Sequence, residues 1–259
     1  MNKYLLLCLI IASVSLESKV QAHNGRRFEI VIDNNQLFAQ GYLSGSDPDD
    51  DGGGVVRPYY NALHDHFDNR KSGLGAIASL PGFDLFETSG LLGFDLSLSL
   101  TGAGKWTDPM NNMHGGGGHG SHMGTPVLSP LDPNETIYVG FGNQDTDTDL
   151  LGSLLLVDNI AGPISDIDLD YDIGLYPDNV LYYLQWQLST NAPGIAASGP
   201  LYTIFSPDKA DPENSPNGPL HHQALALESF LGTPVSAPEP NATAILMLGT
   251  LGWWSRRKR

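Results

Sequence analysis

The densest group of potential ligands is the run Met110-Asn111-Asn112-Met113-His114, four glycines, then His119-Gly120-Ser121-His122-Met123. Three imidazoles and three thioethers fall in one short loop, and its glycines let the backbone fold inward at little steric cost. Imidazole suits zinc and copper, and thioether adds a preference for soft Cu(I). The H-x4-H-x2-H spacing permits such a site without demanding it, because a Gly-rich loop holding histidines can also bind nothing. Four further histidines on the same chain are possible helpers, as His64-Asp65-His66 and His221-His222. A second kind of site is suggested by Asp47-Pro48-Asp49-Asp50-Asp51-Gly52, which opens like a D-x-D-x-D-G calcium loop. Pro58 stands where that loop needs its bidentate glutamate, so Asp47, Asp49 and Asp51 would have to borrow ligands or serve as a solvated turn. Zinc or copper is therefore the leading cofactor expectation, and calcium comes behind.

Both ends of the chain read as addresses. Lys3, the apolar stretch Leu5 to Val14 and Val20-Gln21-Ala22 form the three parts of a secretory signal peptide over residues 1–22, with His23 as the expected mature start. At the other end stand Pro238-Glu239-Pro240, an apolar run from Ala242 to Trp254, and Arg256-Arg257-Lys258-Arg259. That run would rise roughly 20 Å as a helix, short of the roughly 30 Å hydrocarbon core, so it is a poor permanent anchor. The basic end favours the cytoplasmic side. Residues 238–259 resemble the PEP-CTERM sorting signal. The resemblance implies a Gram-negative host, export by signal peptidase, transient membrane association, cutting by an exosortase, and a final place on the cell surface or in the extracellular matrix.

Six of the thirteen Lys and Arg, and two of the twenty-nine Asp and Glu, lie in these terminal segments. Residues 23–237 thus hold seven basic against twenty-seven acidic side chains, a net charge of -20. Such a surface cannot neutralise phosphates, which excludes a nucleic-acid partner. The single cysteine, Cys8, lies in the expected signal peptide, so the exported part has no disulfide and depends on a core.

Period-two alternation dominates residues 23–232, and residues 233–237 read as a linker. Phe28, Ile30 and Ile32, a turn at Asn34-Asn35 and Gln36 to Leu43 predict a hairpin. Leu92 to Leu100 gives the clearest strand, with Asp95, Ser97 and Ser99 on its polar face. Strands are also expected at Ile137 to Phe141, Leu154 to Val157, Ile167 to Ile173, Val180 to Leu188 and Leu201 to Phe205. Tyr59 to Phe67 fits a short helix, on which His64 and His66 would point apart, whereas on a strand they would share one face, and Ala226 to Leu231 fits strand or helix. The expected fold is all-β, an antiparallel β-sandwich or jelly roll with long Gly/Asp-rich loops.

Two other functions compete with metal binding. A structural matrix component contacting polysaccharide would use exposed aromatics, with Trp106, Trp186 and Tyr59-Tyr60 as the candidates. An N-terminal His23 could chelate copper through its amine and ring, which resembles the histidine brace of copper-dependent polysaccharide monooxygenases. The likeness ends at that residue. No catalytic signature is otherwise present: Gly102-Ala103-Gly104-Lys105 lacks the phosphate-loop Ser/Thr, and there is no G-x-S-x-G elbow.

Overall fold

A computed structural model describes residues 25–44, 61–67, 76–78, 81–107, 125–173, 180–207 and 221–232. Strands β1 (Gly25–Asp33) and β2 (Gln36–Ser44) form the expected hairpin. Asn34 and Asn35 turn it with φ of 48° and 60°, the left-handed pair whose twist suits a two-residue hairpin loop. β1 also pairs in parallel with β5 (Gly82–Leu85), and β11 (Ile164–Ile167) completes a four-stranded sheet in the order β11-β5-β1-β2.

The largest sheet runs β10 (Ser153–Val157), β6 (Leu96–Thr107), β13 (Val180–Thr190), β14 (Leu201–Pro207) and β3 (Ala62–Phe67), with β7 (Leu128–Ser129) paired to the end of β6. A third sheet has the order β4 (Ala76–Ala78), β12 (Asp170–Ile173), β8 (Ile137–Phe141), β9 (Gln144–Asp147). One core joins the inner faces of all three, including Phe28 and Ile30, Leu98, Leu184 and Trp186, and Val139 and Tyr171. Each such side chain contributes about 1.5–3 kcal/mol by leaving water. The fold is thus all-β and sandwich-like, with one helix among the described residues.

The strand β6 shows how one residue reassigns two faces. Leu96, Leu98 and Leu100 point into the core, but the register against β13 shifts so that Trp186 opposes Leu100 and Gln185 opposes Gly102. Thr101 is the extra residue. Beyond this bulge the phase inverts, Lys105 turns inward opposite Tyr182, and Trp106 turns outward. The outward Trp106 is still buried, because helix α1 (His221–Leu231) lies over that half of the outer face. Ala224, Leu227 and Leu231 recur at helical spacing and meet Ala62, Leu181 and Ile204.

Several expectations are corrected. Tyr59 to Phe67 contains no described helix; Ala62–Phe67 is an edge strand, parallel to β14. The clearest predicted strand begins at Leu96 rather than Leu92, because Gly93 adopts φ 81° and residues 91–94 turn. Ile167 to Ile173 is two strands broken at Asp168-Leu169, although Ile167, Leu169, Tyr171 and Ile173 all reach the core as their alternation implies. Ala226 to Leu231 is helix. The pairing is antiparallel except at β1·β5 and β14·β3.

Candidate functional site

The ligand-rich loop itself, with Met113, His114, His119, His122 and Met123, lies outside the described residues, as do His23, Asp47, Asp49, Asp51, Tyr59-Tyr60 and Pro238, Glu239 and Pro240. What is described is the frame that holds the loop. β6 ends at Thr107, and the chain returns at Thr125 into β7, which pairs back with Lys105 opposite Ser129 and Trp106 opposite Leu128. Both ends of the segment are therefore tied to one strand, which removes part of the chain entropy that ordering a free loop would cost.

The same end of the large sheet collects the other histidine-bearing segments. Thr107 opposes Val180, and the β13–β14 register carries that row on to Pro207, which pairs with Phe67 of β3. His66 pairs with Ser206 one position inside this rim. The helix runs antiparallel to β3, since Gly232 lies against Asn61 and Ala62 while Glu228 reaches His64. From Glu228 back to His221 a helix rises about 10 Å, as β3 does from His64 to Phe67, so the first helical residues are level with the rim. The described flanks of the His114–His122 segment, the end of β3 and the start of α1 thus lie at one end of the large sheet.

His64 is the one of these histidines whose side chain is described. It is fully buried, its backbone N–H donates to Glu228 Oε1 at 2.7 Å, and its ring Nδ1 lies 2.6 Å from the same oxygen. An ionised carboxylate only accepts, so with Glu228 ionised it is Nδ1 that carries the ring proton. A carboxylate imposes this orientation on many metal-ligating histidines, and a purely structural buried histidine can share it. Under the same helix, Trp106 is 1 % exposed and its indole N–H has no hydrogen-bond partner among the described residues.

Two other buried polar clusters pair each cation with two carboxylates of the same cluster, which marks them as structural. Arg27 donates from Nε to Asp84 at 2.8 Å, from one terminal nitrogen to Asp168 at 2.6 Å and from the other to the Phe83 carbonyl at 3.1 Å. Gly82 is required there, because a Cβ would stand 2.9 Å from the guanidinium. Lys105 donates to Asp132 and Glu135 at 2.7 and 2.6 Å, and Tyr182 donates to Glu135 at 2.7 Å. Burial pushes the Glu135 carboxyl up, but the donors Lys105, the Asp132 N–H and Tyr182 outweigh it and hold it below the usual carboxylate range.

The aromatic candidates for a sugar surface are corrected: Trp106 and Trp186 are both buried, and Trp186 donates its indole N–H to Thr203 at 3.0 Å. Asp147 serves a turn, accepting from the N–H groups of Asp149 and Leu150. Among the described residues no group of three or more His, Cys, Asp or Glu could hold a metal, and no helix is long and apolar enough to cross a membrane. Sequence reasoning missed Glu228 as the partner of His64 and the Arg27 cluster, since the paired residues lie far apart in the chain and carry no shared motif. Comparisons with protein-family models, with curated proteins and with solved structures return no match to this chain.

Proposed function

We propose that this is an exported, cell-surface or matrix-associated protein, sorted by an exosortase, that binds zinc or copper at one end of its sandwich through the Gly/His/Met loop. The observation that carries the reading is the convergence described above. The loop bearing His114, His119 and His122 springs from the rim to which His66, His221 and His222 are brought by β3 and α1. A strand pair anchors the loop, imidazoles supply borderline ligands, and the neighbouring histidine segments could complete a coordination shell that the loop alone leaves open. Sorting is supported separately by the signal peptide and the Pro238-Glu239-Pro240 tail.

Titration calorimetry of the full-length protein with zinc tests the metal reading. Parent protein is expected to bind at micromolar concentration, and replacement of His114, His119 and His122 together by Ala is expected to remove most of that heat. Unchanged binding in the triple variant would place the metal elsewhere, and calcium binding without zinc binding would favour the aspartates Asp47, Asp49 and Asp51. Intact-mass measurement of the protein recovered from its host tests sorting; a mature chain still ending in Arg259 overturns it.

A further inference from the structure

Half of the outer face of the large sheet is covered by α1; no described helix or strand covers the other half, which has an unusual make-up. We propose that this second half binds a neutral polysaccharide. The residues that turn outward there include Ser97 and Ser99 of β6, Gln185, Gln187 and Ser189 of β13, and Ser153 and Leu155 of β10, bounded on the helix side by Tyr183 and Tyr202. By the strand registers, no charged residue occupies an outward position on β10, β6, β13 or β14. In a chain with twenty-nine acidic residues and a net charge of -16, that is a large uncharged surface.

The charge pattern selects the partner. Anionic polymers are repelled by the molecule as a whole, and the face offers them no cation. A neutral glycan suffers neither penalty and needs what the face supplies: hydrogen-bonding groups of both kinds and an aromatic wall for its C–H faces. Gln187 donates its amide N–H to the Ser198 carbonyl at 3.0 Å, and Gln185 donates to the Thr101 hydroxyl at 3.2 Å. Both head groups are thereby fixed, with their carbonyl oxygens left to accept from sugar hydroxyls.

The aromatic wall is built rather than incidental. The hydroxyl end of Tyr183 lies across Gly104, where an added Cβ would come within 2.6 Å of the ring carbon Cζ, so only glycine lets the ring settle on β6. Tyr202 meets it edge-on, centroids 6.3 Å apart and planes at 66°. Both rings are half-buried, and burial pushes both phenols up, so they stay neutral across the physiological range. Gly102 leaves the adjoining position open, since a Cβ there would find nothing nearer than 3.8 Å. The result is an aromatic shoulder beside a shallow polar lane. This proposal is independent of the metal reading, because none of its residues is a histidine.

Affinity electrophoresis of the full-length protein through native gels containing hydroxyethyl cellulose, with alginate as the anionic probe, tests it. Retardation is expected in the neutral polymer and absent in alginate. Tyr183→Ala should weaken retardation about tenfold, the order of one lost aromatic contact, while Tyr183→Phe retains it. Tyr138→Ala, at an exposed tyrosine of the third sheet, should change nothing. Should Tyr183→Ala fail to fold, Gln185→Glu with Gln187→Glu places charge on solvated positions and should abolish retardation with the unfolding temperature kept. No retardation of the parent in the neutral gel, retardation in alginate, or full retention by the Glu double variant overturns the proposal. So does a dimer in light scattering that the same double variant dissolves, which would assign the face to a second copy.

Discussion

Arg27 sits in a strand whose neighbours Phe28 and Ile30 mark the core face, so alternation alone would send its guanidinium to solvent. It is instead fully buried, because the chain from Asp166 to Asp168 folds over it and Asp84 reaches it from β5. Nothing in the local pattern announces this, since the carboxylates come from two distant segments. Removing one member leaves buried Asp84 with an uncompensated charge, a loss of about 3–5 kcal/mol. Arg27→Leu is therefore expected to lower the denaturant midpoint sharply, and adding Asp84→Asn should restore part of it; a cost below about 1 kcal/mol would contradict the buried cluster. The two buried tryptophans make a finer comparison. Trp186→Phe breaks the bond to Thr203 and should cost about 1 kcal/mol more than Trp106→Phe, whose indole N–H has no partner among the described residues. Glu135 adds a pH dependence. Its carboxyl is held below the ordinary value near 4.3, so its stabilisation is complete above that pH and is lost as pH falls through the lowered folded value. Glu29 works in the opposite sense, because burial, Asp84 and Glu87 push its carboxyl up and its ionisation costs stability as pH rises. Equilibrium unfolding from pH 6 to 3 should show a flatter acid limb for Glu135→Gln than for the parent.

Elements were legible where period two runs unbroken. Leu96 to Leu100, Ile137 to Phe141 and Val180 to Leu188 each place alternate apolar residues in the core, with Leu181 the one leucine on the other side, and each is a strand. The second half of β6 was not legible, because glycines carry no pattern and the bulge at Thr101 inverts the faces. β3 was ambiguous because a few residues cannot distinguish the two periods, and what makes it a strand is pairing with β14 and cover by α1. That cover depends on Glu228, which accepts from both the backbone and the ring of His64. Glu228→Ala should loosen the helix while the central strands hold. Hydrogen exchange would show α1 amides losing protection and those of β6 and β13 keeping it; equal loss in all three would mean that the helix is integral to the core. The opposite edge of the sheet is guarded differently. Gln144 of β9 accepts from the Leu155 N–H at 2.8 Å and donates to the Leu155 carbonyl at 3.0 Å, standing in for a missing strand.

At the scale of the whole molecule, the sequence showed the ligand-rich loop and the acidity but not the rim on which the histidine segments meet, since that depends on the order of strands. Charge and coordination make separable predictions about it. A net charge of -16 means self-repulsion, which salt weakens as the screening length falls from about 10 Å at 0.1 M to about 3 Å at 1 M. Sodium chloride should therefore raise the unfolding temperature smoothly, in parent and variants alike. Zinc held by imidazoles acts by direct bonds that screening scarcely touches, and stabilises by about 2.7 kcal/mol at a hundred times its dissociation constant. Its shift should survive 0.5 M salt, reverse on adding a chelator, and fade as pH drops through about 6.5, where protons displace metal from the rings. The variant lacking His114, His119 and His122 should keep the salt response and lose the zinc response. A zinc shift that disappears in high salt, persists in that variant and holds down to pH 5 would belong to the diffuse aspartate surface, and the rim would then have no metal to explain it.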